Sequence, residues 1–260
     1  MGLVKRSIFL SLLCSLLFTN TSFGWSDEGH QIVARLAFHF LDNTTKQNIK
    51  NHLGGMSIED ASTWMDDVRD NSTYKYMAPW HYVDIEKGED YQITKDPNII
   101  NALEKVMKEL SNKKTLSEGE IKTDLLVLIH LIGDLHQPLH IGYPSDKGGN
   151  NVLISFKGKN TKLHALWDGL IIKNEHITMQ SCLDIYDKYS QEYIKEIRKG
   201  TILDWAYQSR NYLDQVYSYK YDLVTESYEE KSTLVIKKQL LAASIRLASL
   251  LEKYFGTDKA

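Results

Sequence analysis

The sequence predicts a single, mainly α-helical domain that carries one small β-hairpin. Apolar residues recur at three- and four-residue spacing over most of the 260-residue chain, which is the spacing of a buried helix face. The chain has only four prolines, and no internal repeat or Pro/Gly-rich linker divides it. One segment, residues 151–156, has instead the β-branched content of a short strand.

Residues 1–24 have the pattern of a secretory signal peptide. Two basic residues precede an apolar run over residues 8–18, and small residues stand at the third and first positions before Trp25. We therefore expect cleavage before Trp25 and an exported domain over residues 25–260, located in the periplasm or secreted. No later stretch approaches the length of a membrane-spanning helix, so we expect no stable membrane association.

Cysteine content and charge limit the classes of protein to which the chain can belong. Once the leader is removed, Cys182 is the only cysteine, so the mature chain cannot form an intramolecular disulfide. The leader carries two basic residues and no acidic one, so its removal changes the formal net charge from −3 to about −5. This sign argues against binding nucleic acid by a broad basic surface. An anionic substrate must be held locally, by bound cations and a few side chains.

The first half of the mature chain predicts five helices, over residues 31–41, 44–53, 58–69, about 97–110 and 118–136. An apolar stripe defines the first of them, and the pair Gly54-Gly55 stops the second. Ser57 is a suitable N-cap for the third, and Asp96-Pro97 opens the fourth.

The second half begins with the predicted hairpin, in which residues 151–156 are followed by a turn over residues 157–160. Helical periodicity then returns over residues 164–174, 183–198, 203–218 and 232–255. These elements complete the expectation of one compact multi-helix domain, since 236 residues form one core without requiring a second.

The densest chemical motif lies at the end of the predicted helix 118–136. His130 and Asp134 are four residues apart, so both side chains project from one helix face, as metal ligands do. Pro138 biases the residue before it away from helical geometry and should end the helix. His140 then follows a different path, and we expect it to serve a different metal from His130.

The same His-x-x-x-Asp spacing recurs directly after the hairpin, at His164 and Asp168. One such pair is weak evidence, but two within forty residues, with His140 between them, are harder to attribute to chance. Imidazole nitrogens together with a carboxylate favour zinc, whereas calcium or magnesium prefers an all-oxygen shell.

Three other segments are candidate contributors. Asp66 and Arg69 lie on neighbouring turns of the predicted third helix, and His81 has a carboxylate, Asp84, three residues further on. Trp25 would begin the mature chain, and a new α-amine is unprotonated in an appreciable fraction near neutral pH, so it can bind a metal.

With these motifs in this order, the sequence resembles the zinc-dependent class I nucleases, single-strand-specific enzymes that also remove 3′-phosphates from nucleotides. The resemblance covers essentially the whole mature chain, from Trp25 through Asp204-Trp205-Ala206 to the last helix. It implies three zinc ions per chain, on ligand sets that carry over residue by residue: Asp66, His81, His130 and Asp134; the amine and carbonyl of Trp25 with His30 and Asp134; and His140, His164 and Asp168.

The same resemblance implies roles for other residues. The catalytic charge pair would be Asp66 and Arg69, and the substrate-binding positions would be Tyr82, Asp84, Gly148 and Asn150. It implies a monomer that cleaves P–O3′ bonds of single-stranded DNA and RNA, of oligonucleotides and of nucleotide 3′-phosphates, leaving 5′-phosphates. Plant and fungal relatives carry disulfides that Cys182 cannot form, which indicates a bacterial-type member.

Two alternative functions stay open. Zinc phospholipase C resembles this family in ligand order, although its asparagine normally follows the motif histidine more closely than Asn150 follows His140. A non-catalytic zinc-binding exported protein is the second alternative, but it has no use for Arg69 and Asp84 beside the ligands. The remaining histidines are expected to be structural or on the surface: His39, His52, His136 and His176. The tryptophans after Trp25 are expected to anchor the core.

Overall fold

The computed structural model describes residues 24–257, so most of the predicted signal peptide, residues 1–23, lies outside the described part. Its α-helices are α1 Asp27–Phe40, α2 Asn43–Leu53, α3 Ile58–Asp67, α4 Ile99–Ser111, α5 Glu118–Leu135, α6 Leu163–Ala165, α7 Ile171–Asn174, α8 Met179–Tyr186, α9 Gln191–Arg198, α10 Ile202–Arg210, α11 Leu213–Val216 and α12 Glu226–Phe255. Shorter 3₁₀ segments cover Lys75–His81, Lys113–Thr115, Pro138–Ile141 and Pro144–Asp146, and a π-helical turn covers Leu166–Leu170.

The mainly α fold with one small hairpin is confirmed. The 30-residue helix α12 packs along α1 and α5, and α3 packs against both of those helices. The centre of α5 is buried on every side, with Leu125, Leu128 and Leu131 fully inaccessible. A helix that is apolar all round belongs inside the bundle, and α5 is that central element here. No helix within residues 24–257 has the length and apolarity needed to cross a membrane.

Local sequence signals explain most helix starts. The hydroxyl of Ser57 accepts the amide of Asp60 at the start of α3, and Ser117 forms a reciprocal capping box with Glu120 at the start of α5. The fourth helix begins later than predicted, because the Asn98 side chain caps it by accepting hydrogen bonds from the amides of Ile100 and Asn101.

Several predicted boundaries are wrong. The predicted helix 183–198 is two helices, α8 and α9, because Ser190 caps a new start. The predicted helix 203–218 likewise divides into α10 and α11, and the predicted helix 58–69 ends at Asp67. Apolar periodicity continues across these breaks, so the spacing alone did not reveal them.

The hairpin consists of strands β1, Leu153–Phe156, and β2, Lys159–Lys162, paired antiparallel. Its turn is the two-residue pair Lys157-Gly158, both with positive φ, which is shorter than the predicted four-residue turn. Strand β2 runs directly into α6, so the hairpin fixes the position of His164.

Candidate metal centre

The cluster is built on the end of α5. His130 and Asp134 are fully buried, and His130 Nε2 lies 3.2 Å from Asp134 Oδ2 one turn away. His130 Nδ1 lies 2.7 Å from the carbonyl oxygen of Ser62 on α3, to which it donates. When the ring is neutral, this bond keeps the proton on Nδ1 and leaves the Nε2 lone pair directed at the cluster, which is the form that binds a metal.

Two other segments bring a carboxylate and an imidazole to His130. Asp66, in the last turn of α3, has its carboxylate oxygens 3.9 Å from the facing nitrogens of His130 and His81. His81 ends the first 3₁₀ segment, and its Nδ1 lies 2.9 Å from Asp134 Oδ2. Asp66, His81 and His130 therefore offer ligand atoms that all lie within 4.8 Å of one another.

A second group forms where α1 begins. His30 stacks on His130, with ring centroids 4.0 Å apart, and its Nε2 lies 3.2 Å from Asp134 Oδ1. Gly133 permits this approach, since a Cβ there would lie 2.8 Å from His30 Nδ1. His30, His130 and Asp134 form a second set within the 4.8 Å limit.

The residues around the predicted cleavage site lie against this second group. Trp25 is fully buried, and the amide of Ser26 donates to the carbonyl of Asp168 at 2.8 Å. A Cβ built on Gly24 would collide with Asp134 Oδ1 and lie 2.9 Å from His30 Nε2. The backbone of Gly24, directly before Trp25, therefore lies against the Asp134 carboxylate and the His30 ring.

The third group comprises His140, His164 and Asp168. His140 lies in the 3₁₀ segment after α5, and its Nδ1 is 2.7 Å from the carbonyl of His81. His164 Nδ1 is 2.5 Å from the carbonyl of Gly148, and its Nε2 is 3.4 Å from Asp168 Oδ2. Both imidazoles are thus oriented by a backbone carbonyl, the usual arrangement of a histidine that binds metal through its other nitrogen.

Buried polar atoms without hydrogen-bond partners concentrate in these groups. Among residues 24–257 they include both ring nitrogens of His30, Nε2 of His164 and one oxygen each of Asp66 and Asp134. Leaving such an atom unsatisfied costs about 1–3 kcal/mol, so native proteins rarely tolerate several together. Converging imidazole and carboxylate groups, several of whose atoms lack a hydrogen-bond partner, are the donor set of zinc, and the residues present fit that ion.

The electrostatics favour metal-binding protonation states at several ligands. Burial lowers the pKa of His30 and of His81, so both imidazoles are neutral near pH 7. Burial favours protonation of Asp134, but His130 and His140 outweigh it and hold the pKa of that carboxyl well below its usual range. The pKa of His130 is raised to about 9, since the Asp134 and Asp66 carboxylates outweigh burial. The same carboxylates would attract a dication in place of that proton.

A cavity of about 700 Å³ opens beside the first and third groups. The catalytic and substrate-binding candidates outside the ligand set all line it: Arg69, Tyr82, Asp84, Gly148 and Asn150. The Tyr82 side chain is 45% exposed, and burial raises the pKa of Asp84. The structure therefore brings an arginine, an aromatic face and a carboxylate to one opening beside the buried cluster.

Comparison with known proteins agrees with this geometry. The family model for S1/P1 nuclease matches residues 25–256. The chain belongs to the S1/P1 nuclease family. Endonuclease 2 of Arabidopsis thaliana is 25% identical over 272 residues, covering 90% of this chain and 91% of the relative. Nuclease S1 of Aspergillus oryzae is 25% identical over 276 residues (92% and 94%), and Nuclease P1 of Penicillium citrinum is 28% identical over 155 residues (55% and 57%).

Sequence reasoning missed Gln137 in this S1/P1 nuclease. Its side chain is fully buried, donates to Asp168 Oδ1 at 2.5 Å and accepts the Leu139 amide at 2.6 Å. It therefore holds one oxygen of Asp168 and directs the other towards His164. The available signal was an amide side chain inside the ligand motif, next to Pro138, where the helix had to end.

Arg210 was also missed. Its guanidinium donates to the carbonyls of Ile85, Glu86, Ile141 and Gly142, at 2.6–3.0 Å. It thereby ties the segment after Asp84 to the segment after His140. Nothing in the sequence near Arg210 indicates this role, since its partners are backbone atoms on distant segments.

The residues expected outside the site lie outside it. His136 is buried among α5, α10 and α12, and His52 pairs with Glu118 at 2.9 Å on the surface. Trp167 and Trp205 are buried in the core, and Trp64 and Trp80 pack against it as partly buried rings.

Proposed function

We propose that this nuclease is an exported, zinc-dependent enzyme that hydrolyses P–O3′ bonds of single-stranded DNA, single-stranded RNA and nucleotide 3′-phosphates, leaving 5′-phosphates. One observation carries the proposal. Three groups of histidine and carboxylate ligands, buried and short of hydrogen bonds, adjoin a cavity that contains an arginine and an exposed aromatic ring. Family membership makes phosphodiesters the expected substrate class.

Three zinc ions are proposed, on ligand sets that join the geometry to the family resemblance. They are Asp66, His81, His130 and Asp134; the amine and carbonyl of Trp25 with His30 and Asp134; and His140, His164 and Asp168. When bound, zinc acidifies water and neutralises phosphate charge. Asp134 belongs to two of these ligand sets. Its geometry supports that, because Oδ1 faces His30 while Oδ2 faces His81 and His130.

The protein's own residues position the substrate. Arg69 follows α3, and its amide lies 3.2 Å from the carbonyl oxygen of Asp66. Its side chain lines the cavity, where its fixed positive charge stabilises the negative charge that builds on the phosphate in the transition state. Tyr82 stacks on a base, and Asp84 accepts hydrogen bonds from it. Gly148 and Asn150 line the same cavity.

Selectivity for single strands follows from the cavity. A base must leave its neighbours to reach Tyr82, and pairing and stacking in a duplex oppose that movement by a few kcal/mol. An unpaired strand avoids most of that cost. The enzyme is therefore expected to cut single strands faster than duplexes of the same sequence.

Export completes the site in this proposal. Cleavage before Trp25 by signal peptidase would create the amine that faces His30 and Asp134, in the mature domain 25–260. The chain is expected to act in the periplasm or outside the cell as a monomer, without stable membrane association.

Parallel assays of the zinc-loaded mature protein on single-stranded DNA, RNA, nucleoside 3′-phosphates and phosphatidylcholine test the proposal. We expect cleavage of the first three with 5′-phosphate and 3′-hydroxyl products, and negligible release of phosphocholine. Faster hydrolysis of the lipid would establish a phospholipase C. Zinc binding without turnover of any substrate would establish a zinc-binding protein.

A further inference from the structure

Two lysines line the substrate cavity. Lys147 follows the 3₁₀ segment Pro144–Asp146, and Lys162 is the last residue of β2. Both line the cavity together with Arg69. Neither belongs to the proposed ligand sets or to the expected substrate-binding residues.

The backbone holds Lys147 in place. It adopts left-handed geometry, with φ 54° and ψ 52°, which is uncommon for a residue with a side chain. Its amide donates to the carbonyl of Pro144 at 3.2 Å, and its carbonyl accepts the amide and the side chain of Asn150 at 3.2 and 3.0 Å. Glycine adopts this backbone geometry more readily, so a lysine here has a conformational cost.

Lys162 is anchored equally well. It pairs with Leu153 at the end of the hairpin and directly precedes Leu163, whose amide donates to the carbonyl of Val152 at 2.9 Å. The next residue, His164, belongs to the third ligand group. The backbone of Lys162 is therefore fixed two residues before a ligand of the third group.

Neither ammonium group is neutralised by the protein. Within residues 24–257, no carboxylate lies within 4.0 Å of Lys147 or Lys162, whereas Lys157 on the same hairpin lies 2.8 Å from Glu229. The acid nearest in sequence to Lys147 is Asp146, whose carboxylate accepts the Gly149 amide at 2.9 Å and the Tyr217 hydroxyl at 2.7 Å. The two lysines thus direct positive charge at the cavity.

A second opening beside the ligand groups has the reverse charge. A second cavity of about 760 Å³ shares Asp66 and Asp168 with the ligand groups. Its other charged lining residues are Asp27, Glu28, Asp67 and Lys173. Even with the ligand carboxylates neutralised by metal, this mouth keeps a net negative charge, which repels a phosphate.

We propose that Lys147 and Lys162 form a subsite for a second phosphate, the one on the 5′ side of the nucleotide whose base contacts Tyr82. This inference rests on the proposed function, because it assumes that the scissile 3′-phosphate lies at the metal cluster. The phosphate 5′ to that nucleoside then falls within the same cavity, which both lysines line. The preferred substrates are therefore nucleotides and strands that carry a phosphate on this side.

The kinetic test compares a nucleoside 3′,5′-bisphosphate with the 3′-monophosphate of the same nucleoside. The zinc-loaded mature enzyme should prefer the bisphosphate by roughly tenfold in kcat/KM, which corresponds to one good charge contact. In the variant with both Lys147→Ala and Lys162→Ala the preference should fall to near unity, while turnover of the monophosphate stays within about twofold. Lys159→Ala, on the exposed hairpin tip, is the matched control and should keep the preference.

A binding measurement separates failure of this inference from failure of the proposed function. Calorimetry would compare a phosphorothioate-linked dinucleotide with and without a 5′-phosphate, using zinc-loaded wild-type and double-variant protein. If the 5′-phosphate raises the affinity for wild-type protein but not for the double variant, the subsite is supported. If no substrate is turned over in that case, only the proposed function fails. A gain that is absent, or unchanged in the double variant, overturns the subsite whatever the turnover.

Discussion

Two buried histidine regions lie near the C-terminal end of α5, and their hydrogen bonding differs. At His136, both ring nitrogens are satisfied: Nδ1 donates to the Ile132 carbonyl at 2.7 Å, and Nε2 accepts from Arg246 at 2.6 Å. At the metal centre, His30 and one oxygen of Asp134 approach to 3.2 Å without forming a hydrogen bond. Both regions are buried and polar, so burial does not distinguish them.

The difference teaches that hydrogen-bond completeness, rather than burial of charge, marks the functional region. Arg246 is buried and pairs with no carboxylate of residues 24–257, and burial lowers its pKa to about 10. Its bonds to His136, Gln208 and the carbonyl of Ile197 make that region a finished structural network. At the candidate metal centre, a bound cation would supply the partner that several ligand atoms lack.

The largest expected effect comes from Asp134. Asp134→Asn should release more zinc than His164→Ala, because the first residue faces two ligand groups and the second only one, and it should lower kcat by about a thousandfold or more. Metal analysis after dialysis and single-stranded DNA cleavage are the measurements. Equal zinc losses in the two variants would contradict the sharing of Asp134.

The next effect concerns the other region. Arg246→Met leaves acceptors on His136, Gln208 and Ile197 without a donor and should lower the free energy of unfolding by about 3 kcal/mol. Zinc stoichiometry of the folded protein should stay unchanged. Arg198→Met, on the exposed end of α9, is the control and should cost under about 0.5 kcal/mol in urea unfolding. Loss of zinc in folded Arg246→Met would break the separation of the two regions.

A pair of buried amides sharpens the comparison. Gln137→Met removes the bond to Asp168 and should weaken binding at the third group by about 10–100-fold, as measured by chelator competition. Gln239→Met removes a bond to the His136 carbonyl instead, so it should lower stability without changing zinc affinity. If both variants weakened zinc equally, Gln137 would have no specific role in orienting Asp168.

The smallest expected effect lies at the other end of α5. Burial, with Glu109 nearby, raises the pKa of Asp124 to about 7. In the unfolded chain the Asp124 carboxyl ionises near pH 4. Between about pH 4 and 7 the folded state therefore keeps a proton that the unfolded state has lost, so the free energy of unfolding falls as pH rises.

Asp124→Asn removes that penalty. It should raise the free energy of unfolding by about 1 kcal/mol at pH 8.5, an amount reduced for partial solvent screening, and change it little at pH 4. Glu104→Gln, exposed on α4, is the control and should show no such dependence. A pH-independent difference for Asp124→Asn would contradict the assignment.

Much of the fold was predictable from sequence because local signals determine it. Helix caps such as Ser57 and the apolar character of α5 are encoded within a few residues. The breaks between α8 and α9 and between α10 and α11 were not predicted, since apolar spacing runs across them. The start of α9 has a local signal in the Ser190 cap, whereas Tyr212, before α11, makes no side-chain cap bond.

The site divides in the same way. His130, Asp134, His164 and Asp168 show their role through four-residue spacing, which a helix converts directly into proximity. The roles of Gln137 and Arg210 depend on segments that only the tertiary structure brings together. The charge difference between the two cavities likewise arises from residues scattered along the chain.

The most direct test of the account is a zinc titration of the metal-stripped mature protein that begins at Trp25, with single-stranded DNA cleavage followed at each step. We predict that activity is absent in the stripped protein and reaches its maximum only as the third equivalent of zinc binds, with 5′-phosphate products throughout. Full cleavage by the stripped protein in excess chelator, or three bound zinc ions without cleavage, would contradict it.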